Sequence, residues 1–514
     1  MDLKKAILKN VSFEWTWKIF KIASILIIAP ILIKHFGKYE YGLWVLIGEA
    51  ASFMMLLDFG VANSISRFSS KYLALKDYEQ NNEVYCTATF VFFAGACLVL
   101  LITVILLPFI PSILYVPAEY RSTCQWLFAL SGLNIALVFP LRVGHGLLQS
   151  ENRYDIISRY GMANVFVNLA FVLLVFGQGK GDLLVLAVFT FGLNLCTEMA
   201  IYVHARKMHP YLKFRLKGIV KQKFKEIFSL GSSSFLQTIT SYTYIQLNSL
   251  FVGGLLGAGQ TLLFSVPVSL VQRISPFVSK MGATFIPIAS RMDAKGETEK
   301  LKKLNMLGVR YSLSLSLPIG VFTFFFGTDF LNLWIGGTGL SSQDIETMGL
   351  GLCIMIIGFA LGRPHMASRS ILMATNRHWQ VSIGLLFFSI LSLIVGVFIM
   401  KQTALGVLGV AIGFSMRIIL AEGIYLPVLI CKSLKINFFQ YLYETHWAPI
   451  LACICLILFS FMLDFSFGDL TILNFLLKMF LFACVWIGLV LFLVFLPDHR
   501  KFLLSNLIIK HLKR

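Results

Sequence analysis

Apolar runs about as long as a bilayer is thick recur along almost the whole 514-residue chain. A membrane-spanning helix needs about 20 mainly apolar residues, because the hydrocarbon core is about 30 Å thick and a helix rises about 1.5 Å per residue. Runs of this kind occupy residues 13–33, 41–62, 84–108, 123–148, 157–177, 182–204, 228–256, 261–290, 305–327, 347–373, 380–400, 404–431, 448–464 and 473–496. Backbone amides in hydrocarbon must satisfy one another within the segment, so such runs are helices. The expected fold is therefore all-α: a polytopic membrane protein of about 14 transmembrane helices. Composition agrees, since only 13% of the residues are charged. A soluble domain carries about 25% and uses them to clothe its surface.

The formal net charge is +19. In a soluble chain that figure would suggest nucleic acid. Here the cations gather in loops between apolar runs, so no nucleic-acid partner is expected. The densest loop holds Arg206, Lys207, Lys213, Arg215, Lys217, Lys221, Lys223 and Lys225, and further clusters lie at 291–303 and 500–514. Cytoplasmic loops retain Lys and Arg, so these segments and both termini are expected on the cytoplasmic side, with 330–345 outside. The predicted location is a bacterial inner membrane. Met1–Asn10 lacks the apolar core and cleavage site of a signal peptide, so the first run is read as a retained span. The nine cysteines form no CxxC pair and mostly sit inside apolar runs, where they read as small hydrophobes; no metal is expected.

The basic loop follows the sixth run. This divides the chain into an N-terminal six-helix lobe at 1–205, a linker at 206–227, a second six-helix lobe at 228–431, and a terminal helix pair with a basic tail at 432–514. An even number of spans per lobe makes the two repeats parallel. A faint internal echo supports them. Tyr41-Gly42-Leu43-Trp44 opens the second span, and Gly257-Ala258-Gly259 precedes Phe264 at the eighth. No loop is long enough to fold alone, so function belongs to the helix bundle.

Several motifs fall in order on this framework. Tyr41-Gly42-Leu43-Trp44 continues to Leu57-Asp58-Phe59-Gly60-Val61-Ala62 and Ser66-Arg67-Phe68. Gly146-Leu147-Leu148-Gln149 leads to Asn152-Arg153-Tyr154. Leu333-Trp334-Ile335-Gly336 follows the ninth run, and Leu372-Met373-Ala374-Thr375-Asn376-Arg377-His378 follows the tenth. The chain resembles the polysaccharide (O-antigen, Wzx-like) flippases of the multidrug/oligosaccharidyl-lipid/polysaccharide exporter superfamily. The resemblance implies alternating access and a cargo of undecaprenyl-pyrophosphate-linked oligosaccharide moved to the periplasmic leaflet. Partners would be that lipid-linked oligosaccharide, membrane lipids and other glycan assembly proteins. The family often carries an acid in the seventh span, where this chain reads Gln246-Leu247-Asn248-Ser249-Leu250.

Charges at mid-membrane are costly and usually face a cavity or a partner. Lys18 and Lys21 share one face of the first span, and Arg273 and Lys280 lie seven apart in the eighth. With Arg363 and Arg417, they are the candidate cations for a pyrophosphate, which Arg grips as a fork and Lys as a point charge. Gln237 and Asn248 in the polar seventh span are candidate sugar donors. Glu49 and Asp58 are candidate ion-coupling groups, for a proton or for sodium. Competing readings attach to the same residues. Lys18 and Asp58 could pair with each other. Arg142, Arg159, Arg310 and Arg369 read as anchors near the membrane surface, and His145 and His365 as packed histidines. Competing functions are a peptidoglycan-precursor flippase and a multidrug exporter, which normally lacks the terminal pair. An O-antigen polymerase or ligase fits worst, because the outside loops are short and no acid/base pair is placed for glycosyl transfer. No enzyme activity and no cofactor are expected.

Overall fold

The computed structural model describes the backbone at 3–283, 285–466 and 471–495. Side chains are described from 13 onward in these segments, except at 14, 15, 230–234, 280, 281 and 283. Lys280 and the basic tail at 500–514 lie outside the described residues.

Every described element is a helix. The first nine are α1 (Leu3–Ser52), α2 (Val61–Ala74), α3 (Tyr78–Leu106), the short α4 (Ile110–Ile113), α5 (Arg121–Val138), α6 (Val143–Ser150), α7 (Tyr154–Val175), α8 (Leu183–Met208) and α9 (Lys221–Leu256). Then follow α10 (Ala258–Ala283), α11 (Phe285–Ala294), α12 (Thr298–Ile335), α13 (Ser342–Gly362), α14 (Met366–Ala374), α15 (His378–Gln402), α16 (Val407–Arg417), α17 (Leu426–Leu434), α18 (Phe438–Ser466) and α19 (Ile472–Leu489). Short 3-10 turns at Phe53–Asp58, Phe139–Arg142 and Arg363–His365, and a π-helix at Ile418–Tyr425, carry the chain through bends.

Twelve helical segments among the described residues are long and apolar enough to cross a membrane. The first of them, Thr16–Ala74, has 59 residues, which at about 1.5 Å per residue is far longer than a bilayer core. Gly37 resolves the excess. Its φ of 70° breaks α1, a conformation glycine adopts without steric cost, so the segment supplies two spans. The 36-residue α9 holds the predicted seventh run. α18 and α19 coincide with the terminal pair. The segment 330–345, expected above to lie outside, is mostly helical. α12 runs on to Ile335 and α13 begins at Ser342, capped by the Ser341 hydroxyl and Asp344.

The predicted repeat is written in the turns. Gly37 and Gly257 both break helices with positive φ, 70° and 94°. The aromatic partners Trp44 and Phe264 follow each at the same interval. Pro140 and Pro364 each stand second in a 3-10 turn leading to a short helix, α6 or α14. Asn152 and Asn376 then adopt left-handed backbone, φ 57° and 60°, a conformation asparagine tolerates. In both turns the following arginine amide donates back into the helix at 2.9 Å, Arg153 to the Leu148 carbonyl and Arg377 to that of Leu372.

The chain packs as two units, Met1–Leu262 with Gly337–Leu340, and Leu263–Gly336 with Ser341–Arg514. The packing boundary therefore lies at 262, beyond the 206–227 linker expected to divide the lobes. α9 belongs to the first unit through α1, α2 and α3. Inside that unit, α1 also packs on α7 and α5, and α8 on α5 and α6. Gly42 lies so close to Ala258 that a methyl group there would meet its carbonyl oxygen at 2.0 Å. In the second unit, α12 joins α13 and α18, and α16 joins α15 and α13. Buried polar contacts fasten the terminal pair to its unit. The Tyr441 hydroxyl bonds His365 Nδ1 at 2.9 Å, and Trp486 Nε1 donates to the Ser314 carbonyl at 2.9 Å.

Candidate functional site

Helices of the first unit turn polar stripes toward one another. Residues three or four apart share a helix face. α9 presents Phe235, Thr238 and Tyr242 in this way. Arg142, His145 and Gln149 do so from the bend into α6, and Asn194 and Glu198 from α8. With Asn134 from α5, and Asp58, Phe59 and Asn63 from the break in the second span, they line a cavity of about 500 Å³. That volume is in the usual range for a small-molecule pocket.

Two charge pairs organise it. Arg142 Nη2 lies 3.2 Å from Asp58 Oδ2, and His145 Nε2 lies 2.8 Å from Glu198 Oε2. Asp58 Oδ1 also accepts from the Ala62 amide at 3.4 Å, holding the start of α2. Both pairs keep some access, with side-chain exposures of 26% and 15% for Arg142 and Asp58, and 24% and 18% for His145 and Glu198. The amides are fixed as well. Asn194 Nδ2 donates to Asn134 Oδ1 at 3.0 Å, and Asn134 Nδ2 to the Phe191 carbonyl at 2.8 Å. An adjoining cavity of about 430 Å³ shares Met55, Asn134 and Ile135 with the first and is otherwise mainly apolar. Its one ionisable lining residue is Glu49.

The second unit holds a contrasting cluster. Glu422, in the π-helix, has a side chain only 1% exposed. Arg363 Nη1 donates to it at 2.8 and 3.0 Å, and Arg417 Nη1 bonds the same carboxylate. Arg417 Nε also donates to Ser389 Oγ at 3.3 Å.

The structure thus corrects several expectations. Asp58 pairs with Arg142 and not with Lys18, and Arg142 is a cavity residue, not a surface anchor. His145 is hydrogen-bonded to Glu198 at the cavity, not merely packed. Arg363 and Arg417 neutralise Glu422, so their charges are already engaged. Asn248 is buried, and its Nδ2 donates to the Tyr244 carbonyl of its own helix at 2.7 Å. Gln237 is half-buried beside the cavity stripe, whose lining residue is its neighbour Thr238. Lys18 is half-buried and Lys21 exposed on the first arm of α1, with Lys21 Nζ 5.8 Å from the Trp17 ring. Arg273 is half-buried on α10, between Pro267 and Pro276. Glu198 and Glu422 were missed. Each is an acid inside an apolar run, the criterion that singled out Glu49.

Each unit thus gathers polar side chains between its helices. Residues 40–341 match the family described as Polysaccharide biosynthesis protein, and the chain belongs to that family. Over 411 residues it is 20% identical to the "Uncharacterized membrane protein EpsK" of Bacillus subtilis (strain 168), covering 78% of this chain and 79% of that one. The solved structure "Lipid II flippase MurJ, inward closed conformation" superposes with a TM-score of 0.65 at 14% identity, over 98% of this chain and 100% of that one. An inward-facing multidrug resistance MATE family transporter of the MOP superfamily gives a TM-score of 0.66 at 14% identity, over 81% and 99%. At these identities the structures establish the fold alone.

Proposed function

We propose that this protein flips an undecaprenyl-pyrophosphate-linked oligosaccharide from the cytoplasmic to the periplasmic leaflet of a bacterial inner membrane by alternating access, with both termini cytoplasmic. The observation that carries the reading is the lining of the first unit's cavity. Asn63, Asn134, Gln149 and Asn194 supply amides, Thr238 and Tyr242 hydroxyls, and Phe59 and Phe235 aromatic faces. Sugar rings present hydroxyls to the first two kinds of group and C–H faces to the third. The Arg142 cation there is engaged by Asp58, and His145 is engaged by Glu198. The cavity therefore suits a polar headgroup, and the pyrophosphate needs cations elsewhere. Arg273, Lys18 and Lys21 remain the candidates, as does Lys280. The lipid tail stays in the bilayer, so no apolar tunnel is required.

The test is complementation of a flippase-deficient strain, with surface glycan and the cytoplasmic-leaflet lipid intermediate both measured. Surface glycan should return with this chain and fail with Asn194→Leu at equal membrane expression. Accumulated intermediate despite normal expression of the unaltered protein would count against the reading. A second arm uses a strain depleted of its lipid II flippase, because MurJ alone of these comparisons is matched over nearly all of both chains. Rescue there and not in the first arm would assign a peptidoglycan precursor instead.

A further inference from the structure

Glu198 and Glu422 occupy the same place in the two repeats. Glu198 stands fifteen residues past Leu183, the first residue of α8, and Glu422 fifteen past Val407, the first residue of α16, in the π-helix that continues it. The helices that face them correspond too. Pro140 and Pro364 fix the register, and in that register His145 matches Arg369. Arg369 acts electrostatically on Glu422, together with Arg363 and Arg417. One position in the repeat therefore holds a glutamate twice, with a histidine beside it in the first unit and arginines beside it in the second.

The difference is chemical. A guanidinium does not deprotonate in proteins, so Glu422 is held as a permanent anion. Imidazole is the side chain whose ordinary pKa lies nearest neutrality, and a carboxylate hydrogen-bonded to it can exchange charge with it. The first unit's pair opens on a cavity, whereas Glu422 is closed off. We propose that His145 and Glu198 form a proton-binding site, and that the ion exchanged by this transporter is a proton taken up there. The proton passes from water reaching the cavity to the pair and returns to water when the cavity opens on the other side. Nothing else is consumed. The proposal concerns the same cavity as the proposed function but needs no particular cargo.

The surrounding charges are consistent with this assignment. Facing the pair across the cavity are Arg142 and Asp58, which balance one another, and the Tyr242 hydroxyl on α9. One turn on from Glu198, Tyr202 bonds Tyr85 of α3 at 2.9 Å. Farther along α8, His204 bonds Tyr160 of α7 at 3.3 Å, and Arg206 is tied to the Leu212 carbonyl and stacked on Tyr85. α1 brings Lys18, Lys21 and Glu49 to the same unit. None of these ion-pairs with His145 or Glu198 among the described residues.

The experiment is infrared pH-difference spectroscopy on the full chain in lipid, without cargo. Acidification should produce a protonated-carboxyl band and an imidazole change, both unaffected by sodium. Glu198→Gln should remove the carboxyl band. His145→Asn should retain it and abolish the imidazole change. His145→Arg copies the second unit and should leave the carboxylate ionised. In complemented cells that variant should lower glycan export by about tenfold or more. Unchanged spectra in Glu198→Gln, displacement of the proton by sodium, or full export by His145→Arg would each overturn the proposal. Because the spectra need no cargo, they stand or fall separately from the identity of the glycan.

Discussion

The two units put a glutamate at one shared position and then treat it in opposite ways. In the first, Glu198 meets a histidine at the edge of a cavity. In the second, Glu422 is clamped by Arg363 and Arg417 beyond the reach of solvent. A duplicated scaffold has thus kept the acid and changed its partner, and the partner decides what the acid can do. Beside arginine it is a structural anion that ties α13 to α16 across the π-helix. Beside histidine it is a partly exposed hydrogen-bond partner at a cavity wall.

The sharpest way to break the comparison is to delete each acid in turn. Glu422→Ala leaves two arginines buried without their counter-ion, a change that costs about 3–5 kcal/mol in comparable buried pairs. It should strip folded protein from the membrane fraction and lower the unfolding temperature in detergent. Glu198→Ala should cost less than about 2 kcal/mol, since the pair is partly exposed and the cavity can admit water. Equal losses of stability would erase the distinction. A double variant, Glu422→Gln with Arg363→Met, should recover part of the stability lost with Glu422→Gln alone.

Arg273 comes next in expected size. It lies half-buried on α10 in the unit already rich in arginine. If its charge handles the pyrophosphate, Arg273→Ala should insert and fold normally yet display little or no surface glycan. Arg273→Lys should retain part of the activity, because charge survives while the two-pronged geometry is lost. Full display by the alanine variant at normal expression would move the search for the phosphate contact to α1.

A smaller loss is expected at the other pair in the first cavity. Asp58→Asn removes the counter-charge from Arg142 and loosens the start of α2. The pair is partly exposed, so its contribution to stability is modest, about 1 kcal/mol. Export should fall severalfold, while the acid-induced carboxyl band of Glu198 remains. Loss of that band in Asp58→Asn would show that the spectrum had been assigned to the wrong carboxylate.

What the sequence revealed and what it concealed divide along a physical line. Spans were legible because hydrocarbon imposes a length and an apolar composition on each of them. The repeat was faintly legible at Trp44 and Gly257, while the counterpart of Gly257, Gly37, emerged only from the backbone. Orientation was argued from loop cations alone. Partners of charged side chains were not legible, because each pair joins helices distant in the chain. Arg142 and Asp58 are 84 residues apart in sequence, and His145 and Glu198 are 53 apart. Arg142 looked like an anchor because its depth was judged on its own helix, while the break after Asp58 brought an acid down to meet it. Glu198 and Glu422 could have been found together by sliding one lobe's sequence along the other. The same register that aligns Asn152 with Asn376 superimposes them.

The smallest expected effect concerns Glu49, and it tests how far the titratable region of the first unit extends. Glu49 lines the cavity adjoining the polar one, with Trp44, Leu127 and Phe191 around it. Among the described residues no cation pairs with its carboxylate, and only its backbone carbonyl is engaged, accepting from Ser52 Oγ at 2.7 Å. The two cavities share Met55, Asn134 and Ile135, so a proton entering one has a short path to the other. Glu49 could serve as a second stop on that path or simply as an acid left facing water. Glu49→Gln separates these roles, since it keeps shape and hydrogen bonding and removes only the titration. If Glu49 relays protons, the rate at saturating cargo should hardly change near neutrality, while the pH at which export is half-maximal should shift by about half a unit. The Glu198 band should keep its amplitude but form more slowly after a pH jump. An unchanged pH profile together with unchanged band kinetics would confine proton handling to His145 and Glu198, and the contrast between the units would then rest on a single pair.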